Sequence, residues 1–485
     1  MKDTTVDPNT DGDTLEDTSS DTGTDTDTGT GTGTGTDTGT GTDTGTTAAY
    51  PVPTQLEVSC QDTSNPLRFR CIVIVEPAQP VELSYVRTDG LSVVRSQPSD
   101  EELARHEIPV YFLAPDTEYE ISASPTSWPA QIATDTFTTG ALPGRIESSL
   151  AMTGASTMGL IGTHLPCNTD ATAVIYDTNT GDLVWYEEMD SPGAFGLIDM
   201  VQFTDEHTIL GESEGDLIEV DLTGADVIRF NNLDDTLNAT GGLWNGLHHD
   251  VFKHDDTYYV MFQDTGGSWF GLDGLDTLIL VDDTGNEITR WLPEEHLPIP
   301  ANWSGDWLHT NTIYVDEAGD IYLSWLAQSA IGKIVGDPTS PDFGTPIWIL
   351  TGDDNSGLPS DITVDWSQVG QADGFSFQHG LNLTPDGRVM LLDNDRGRSL
   401  IIDVDEVSST AVVQHAYDAH EGSCGPQGTS RTTSTGNPIV GCYGDWIREY
   451  DGSTHAMIWE AQVQCAQSGG WLSSGAARWY ALDTW

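Results

Sequence analysis

Between residues 51 and 142, apolar and polar side chains alternate in short runs: QLEVSC, FRCIVIVE, VELSYVR, EIPVYFL, EYEISASP and DTFTTG, with turn residues between them. A period of two puts alternate side chains on one face, and runs spaced by about 8–12 residues predict an all-β sandwich. From about residue 146 the pattern becomes a coarse repeat of a strand, a Gly/Asp turn, a second strand, and a third strand ending in an aromatic residue or Arg. Clear copies start at Gly196, Gly246, Asp306 and Phe377, and weaker ones cover 148–187 and 424–461. Six such units of roughly 40–70 residues, none with helical periodicity, predict a six-bladed β-propeller. The last segment, ARWYALDTW, is expected to complete a blade begun near residue 148. Residues 1–47 carry almost only Asp, Thr, Gly and Ser, which bury too little to offset the entropy of ordering. The expected organisation is a disordered acidic linker over 1–49, a β-sandwich over 50–143 and a propeller over 146–485.

Charge narrows the function classes. Seventeen Lys plus Arg against 77 Asp plus Glu give the 485-residue chain a net charge of −60. Ten Asp, one Glu and one Lys account for −10 of it in the tail, so the folded part is strongly acidic in its own right. Such a field repels nucleic acid and anionic lipid headgroups. No apolar run approaches the roughly 20 residues that span a bilayer. No signal segment is visible in MKDTTVDP, so a membrane tether is expected only through an N-terminal lipid or signal segment missing from this chain. The six cysteines form no CxxC or zinc-spaced cluster, so disulfides are expected, and with them an extracytoplasmic location. Cys60 with Cys71 and Cys424 with Cys442 bracket hairpin-sized loops, which leaves Cys167 for Cys465.

Candidate chemistry lies in the repeat. Aligning the copies on their turns puts His249, His309 and His379 at one position, the start of a blade's first strand. The innermost strands of a propeller line its channel, so three neighbouring blades are expected to aim three imidazoles at one volume. Neutral imidazoles suit a metal such as Zn, Cu, Ni or Fe, although no motif here has metal-ligand spacing. Alternatively, protonated imidazoles bind a sulfate or phosphate group, which a neutral one attacks. His248, His254, His296, His415, His420 and His455 have no repeat counterpart and are expected at the surface or in loops; His106 and His164 fall outside the set.

Two resemblances sharpen these expectations. LAPDTEYEISA followed by FTTGALP resembles a fibronectin type III domain, with Tyr119 as its corner tyrosine bonding back to the backbone. HHD at 248–250, DWLHTN at 306–311, IWILTG at 347–352 and FQHGLNLTPDGRVMLLDN at 377–394, with Arg396 following, are similar to the bacterial arylsulfate sulfotransferases. That family implies a periplasmic six-bladed propeller behind a small β-sandwich. It implies transfer of a sulfuryl group from a small phenolic sulfate ester to a phenol through a sulfohistidine, with no cofactor and no nucleotide sulfate donor. The nucleophile's motif falls on His379, and the assisting histidines on His309 and His249. Candidate substrate contacts are Arg396, Asn311, Asp250 and His248. One departure stands out: where the family carries an arginine after the second histidine, this chain reads Ser324-Trp325-Leu326-Ala327-Gln328. Arg396, Arg398 and, further off, Arg431 are the candidate replacements. The alternative function is a surface-tethered propeller that holds an anion or a metal without turnover.

Overall fold

In Phe69–Glu76 the sequence FRCIVIVE buries Phe69, Cys71, Val73 and Val75, while Arg70 and Glu76 face solvent. The computed structural model describes residues 50–91, 93–167, 172–189, 201–213, 215–237, 246–263, 276–300, 306–353, 357–370, 372–443, 446–466 and 478–485. The linker expected over 1–49 and the repeat start at Gly196 lie outside the described residues. Phe69–Glu76 is the centre of a three-stranded sheet with Gln55–Asp62 and Arg105–Val110. A second sheet runs in the order Val94–Ser99, Val81–Arg87, Glu118–Pro125, Ala133–Thr138. The inner faces share one core that includes Phe69, Val73, Leu83, Tyr85, Ile108, Tyr119 and Ile121. The Ala114 N–H donates to the Tyr119 hydroxyl at 2.8 Å, which is the backbone bond expected of that tyrosine.

Six further antiparallel sheets follow. Three of the four-stranded ones are built on Val201–Phe203 through Asp226–Phe230, Leu247–His254 through Glu287–Trp291, and Thr310–Val315 through Pro346–Thr351. The next runs His379–Leu383, Val389–Asp393, Arg398–Asp405, Thr410–Asp418, with Thr363–Asp365 added in parallel at its edge. The remaining two sheets exchange strands between the two ends of the repeat region. Ser148–Gly154 pairs with Met457–Cys465 and so belongs to the sheet of Gly428–Thr432, Pro438–Cys442 and Ile447–Tyr450. Trp479–Ala481 pairs instead with Leu160–His164, in the sheet of Thr172–Asp177 and Leu183–Glu188. The terminal segment therefore completes a sheet as expected, but one that begins at Leu160; the segment near 148 closes the neighbouring sheet.

Each sheet buries both faces against its neighbours. Separate apolar clusters fill the gaps between successive sheets, and one of them joins the last sheet (Ile439, Ile447, Trp459) to the first (Val174, Tyr176, Leu183). Trp185, Trp291, Trp325 and Trp459 are fully buried among them. Trp325 needs Gly332 on the paired strand, because a Cβ there would stand 2.4 Å from the indole. The turns follow from Asp and Thr side chains that bond their own backbone. Asp316 accepts from the Ala318 and Asp320 amides at 3.0 and 2.9 Å, and Gly319 takes the left-handed conformation (φ +86°) that the turn requires. Disulfides join Cys60–Cys71, Cys167–Cys465 and Cys424–Cys442, the pairing expected from the spacing. Among the described residues no helix is long and apolar enough to cross a membrane.

Candidate active site

Four consecutive sheets begin their first strands from the same kind of backbone. His249 (φ 61°), His309 (φ 50°), Phe377 (φ 53°) and Gln427 (φ 67°) are all left-handed, a conformation that costs a non-glycine residue about 1–2 kcal/mol. Irregularities in the strand register follow directly, between Leu247 and Val251, Thr310 and Thr312, and His379 and Asn382. His249 and His309 share the left-handed position, as their alignment implied. In the next sheet Phe377 takes that position, and His379 stands two residues on, at the start of its strand. Strained positions that cluster at one end of neighbouring strands mark a place where backbone geometry serves something other than stability.

The imidazoles converge. The His249 and His309 rings are 4.6 Å apart in edge-to-face contact. His379 is near enough for the charge on His309 to lower its pKa, and it in turn lowers that of His249. His379 is buried, and its ring is fixed at both nitrogens. Nδ1–H is shared between the Phe377 carbonyl and Asn394 Oδ1, each at 3.0 Å, and Nε2 accepts the Gln427 amide N–H at 3.1 Å. The Asn394 amide cannot flip, because its Nδ2 donates to the Gly425 and Gln427 carbonyls at 2.7 and 2.6 Å. Burial, partly opposed by the Asn394 bond, lowers the His379 pKa to about 4, so the imidazole is neutral with its lone pair on Nε2.

His309 is set the other way. Burial lowers its pKa, but the hydrogen bond and charge of Asp306, three residues earlier, together with Asp276, more than offset this and raise it. Asp306 Oδ2 bonds His309 Nδ1, and Asp306 Oδ1 accepts the His309 amide at 3.0 Å. Among the described residues no partner contacts the His309 Nε2. His249 is held neutral by burial and by the neighbouring imidazoles and Arg478, which push its pKa well down. Its Nδ1 lies 2.6 Å from the Nδ1 of His248.

The other candidates take different places. His248, expected at the surface or in a loop, is instead buried behind His249 because the first strand's irregular register turns it inward, with Nε2 3.2 Å from the Asp276 carboxylate. Asp250 is buried and bonded to Arg478 through Oδ1 and to the Ile313 amide through Oδ2 (2.7 Å). Asn311 donates to the Gln378 carbonyl at 2.8 Å, across to the next sheet. Arg396 is brought to Asp353 and Asp393 (3.2 and 3.4 Å) rather than to the imidazoles. Arg398 is buried against Asp393 (3.0 Å) and the Ala372 and Gly374 carbonyls, and Arg431 stacks on Tyr480 (4.0 Å).

The cation that the sequence did not point to is Arg478. It is buried, paired with Asp250, and donates from Nη2 to the His249 and Asn311 carbonyls at 2.9 Å each. Asp306 and Asn394 stood in the DWLH and LLDN strings, at fixed offsets from the histidines they hold, so a search for partners of those histidines finds them. Asp276 and Arg478 are reached only through the fold.

The family description Arylsulfotransferase (ASST) matches residues 146–422, more than half of the chain, and spans all three imidazoles with Asp276, Asp306 and Asn394. The chain belongs to the arylsulfotransferase family. Arg478 lies beyond the matched span. No curated protein matches the chain. Among solved structures, a Bacteroides caccae protein of unknown function is 11% identical with a TM-score of 0.40, covering 66% of this chain and 97% of its own. A streptogramin B lyase is 10% identical with a TM-score of 0.37, covering 68% and 90%. A catalytically inactive virginiamycin B lyase from Staphylococcus aureus is 11% identical with a TM-score of 0.33, covering 64% and 74%. Scores of this size fix neither fold nor chemistry.

Proposed function

We propose that this arylsulfotransferase-family chain moves a sulfuryl group from a phenolic sulfate ester to a phenol through a sulfohistidine on His379. The observation that carries the reading is the fixed, neutral His379 beside a His309 whose pKa Asp306 and Asp276 raise. In the first half-reaction His379 Nε2 gives up its hydrogen bond from the Gln427 N–H and attacks sulfur, the S–O(aryl) bond breaks, and the phenolate takes the Nε2 proton of His309. The Gln427 N–H that held the lone pair then lies beside the sulfuryl oxygens as a donor. In the second half-reaction an acceptor phenol returns its proton to His309 as its oxygen bonds sulfur and the S–N bond breaks. The six sheets with their cyclic succession of cores support a closed six-bladed β-propeller, with the first strands around a channel. The Tyr119 bond supports a fibronectin type III-like module over 50–143. The three disulfides support an extracytoplasmic location.

Incubation with 4-nitrophenyl sulfate and a phenol acceptor tests the reaction. Release of nitrophenolate that depends on the acceptor is expected; no release by the wild type sinks the reading. Metal analysis of protein purified without chelators tests the alternative, since stoichiometric Zn or Cu would favour a binding propeller. The pH profile follows from the two histidines. His379 must be neutral and His309 charged, so kcat/KM is expected to fall on the acid side near pH 4, where His379 protonates. It falls on the alkaline side at a pH above the ordinary histidine value, where His309, its pKa raised by Asp306 and Asp276, loses its proton. An acid limb centred near pH 6–7 would contradict the assignment of a buried nucleophile. His309→Asn is expected to lose roughly 100-fold with esters of unactivated phenols and far less with 4-nitrophenyl sulfate, whose phenolate leaves without a proton. Equal losses with both esters would remove His309 from that role.

A further inference from the structure

On the sheet that carries His379, the left-handed position held by His249 and His309 on the two preceding sheets belongs to Phe377 (φ 53°). That backbone is unfavourable for a bulky side chain and easiest for Gly, Asn and Asp. Its neighbours hold it there from both sides. The Ser376 amide donates to Asp393 Oδ1 at 3.1 Å, and the Ser376 carbonyl accepts the Asp395 amide at 3.3 Å. The buried Gln378 donates through Nε2 to Ser324 Oγ and the Ala330 carbonyl (3.1 and 2.9 Å), and its own carbonyl accepts Asn311 Nδ2 at 2.8 Å. The Phe377 carbonyl takes the His379 Nδ1–H at 3.0 Å. Strain over-determined in this way clusters at functional sites. Packing does not account for the residue: Phe377 is 58% exposed, whereas Phe375, Ser376 and Gln378 around it are buried. A phenyl ring left in water at a strained position stabilises the fold neither by burial nor by conformation. An equivalent backbone at an equivalent position directs it to the same end of the sheets as the His249 and His309 rings.

We propose that Phe377 is a substrate-binding residue whose ring stacks on the aromatic ring of the phenolic ester and of the acceptor phenol. The inference deepens the function proposed above and rests on it. Transfer requires the sulfur at His379 and the phenolic oxygen at the Nε2 of His309. The substrate's ring then extends from a point between these two imidazoles, where Phe377 flanks one in sequence and matches the other in position. Ring-on-ring contact removes apolar area of both partners from water and adds the offset or edge-to-face preference of aromatic pairs. The imidazoles serve the sulfuryl group, and Phe377 serves the part of the substrate that they do not.

2-Naphthol is the probe, because its binding needs no turnover, and inorganic sulfate is the control. Phe377→Asn removes the ring and relieves the backbone, since Asn tolerates the left-handed region. The variant is expected to bind 2-naphthol about tenfold more weakly than the wild type, with sulfate affinity unchanged and a melting temperature no lower. Phe377→Tyr keeps the aromatic face and should bind 2-naphthol as the wild type does. In turnover, Phe377→Asn should raise KM for 4-nitrophenyl sulfate by about tenfold and change kcat little, as loss of uniform binding does. A residue that only shaped the strand's start would give the opposite pattern, a gain in stability with 2-naphthol affinity untouched. The proposal is overturned by a wild type that does not bind 2-naphthol, by wild-type affinity in Phe377→Asn, or by equal losses for 2-naphthol and sulfate. A loss in Phe377→Tyr as large as in Phe377→Asn, or a melting temperature several degrees lower in Phe377→Asn, overturns it as well. Weaker 2-naphthol binding as expected, but no sulfuryl transfer by the wild type, would instead sink the functional reading and leave Phe377 as an aryl contact.

Discussion

His379→Ala is expected to abolish sulfuryl transfer, with kcat lower by on the order of 10⁴-fold or more, because it removes the nucleophile that splits the reaction in two. Wild-type protein given donor and no acceptor should gain one sulfuryl group, release one equivalent of phenolate in a burst, and carry the adduct on His379. The variant should show neither burst nor adduct while still binding inorganic sulfate, since His309 and His249 remain. The structural cost is small by comparison: the lost bonds are those to the Phe377 carbonyl, Asn394 and the Gln427 amide. Undiminished nitrophenolate release, or an adduct that forms on His309 or His249 in the variant, would show that another imidazole is the nucleophile. The neutral state of His379 makes the assignment sharp, since neither flanking imidazole has its ring locked by Asn394.

What the sequence made legible follows from period and repetition. Alternating runs placed the strands of both sheets in the sandwich, because a half-buried strand writes its buried face at every second residue, as FRCIVIVE does. The repeat located the first strands and hence His249, His309 and His379, because equivalent positions in stacked sheets face a common side. Two things stayed out of reach. The phase of the repeat was misread in its fifth copy, where Phe377 rather than His379 takes the left-handed position; a bulge shifts side chains without leaving a trace in hydrophobicity. Buried polar partners were invisible when they came from another strand or sheet. His248 looked like a neighbour of His249 and turned out to lie between it and Asp276, 28 residues further on. Asp250 and Asn311 looked like substrate contacts, whereas in the structure their polar atoms tie adjacent first strands together. The replacement cation was sought beside the histidine motifs, at Arg396 and Arg398, yet the arginine that reaches the cluster stands just before the C-terminal strand that pairs with Leu160–His164.

Arg478→Met is expected to be the most destabilising single change at this end of the molecule. Breaking a buried ion pair from one side costs about 3–5 kcal/mol, because the partner charge stays buried without compensation. Here Asp250 would keep only the Ile313 amide, and the His249 and Asn311 carbonyls would each lose a donor. A melting temperature lower by roughly 3–5 °C follows for a chain of this size. The double variant Asp250→Asn with Arg478→Met should recover part of that loss, since it leaves no unpaired buried charge, and the cycle of four proteins measures the coupling. Activity should respond separately. Arg478 lowers the pKa of both His249 and His379, so removing it lets both charge more easily, and Asp250 left unpaired adds to the effect. The acid limb of kcat/KM in Arg478→Met should therefore move to higher pH. Most of that shift should vanish in the double variant, which also loses the negative charge. A melting temperature within a degree of wild type would mean that the first strands are held together without this clamp. An unmoved acid limb would mean that Arg478 braces the first strands without setting the charge state of the imidazoles.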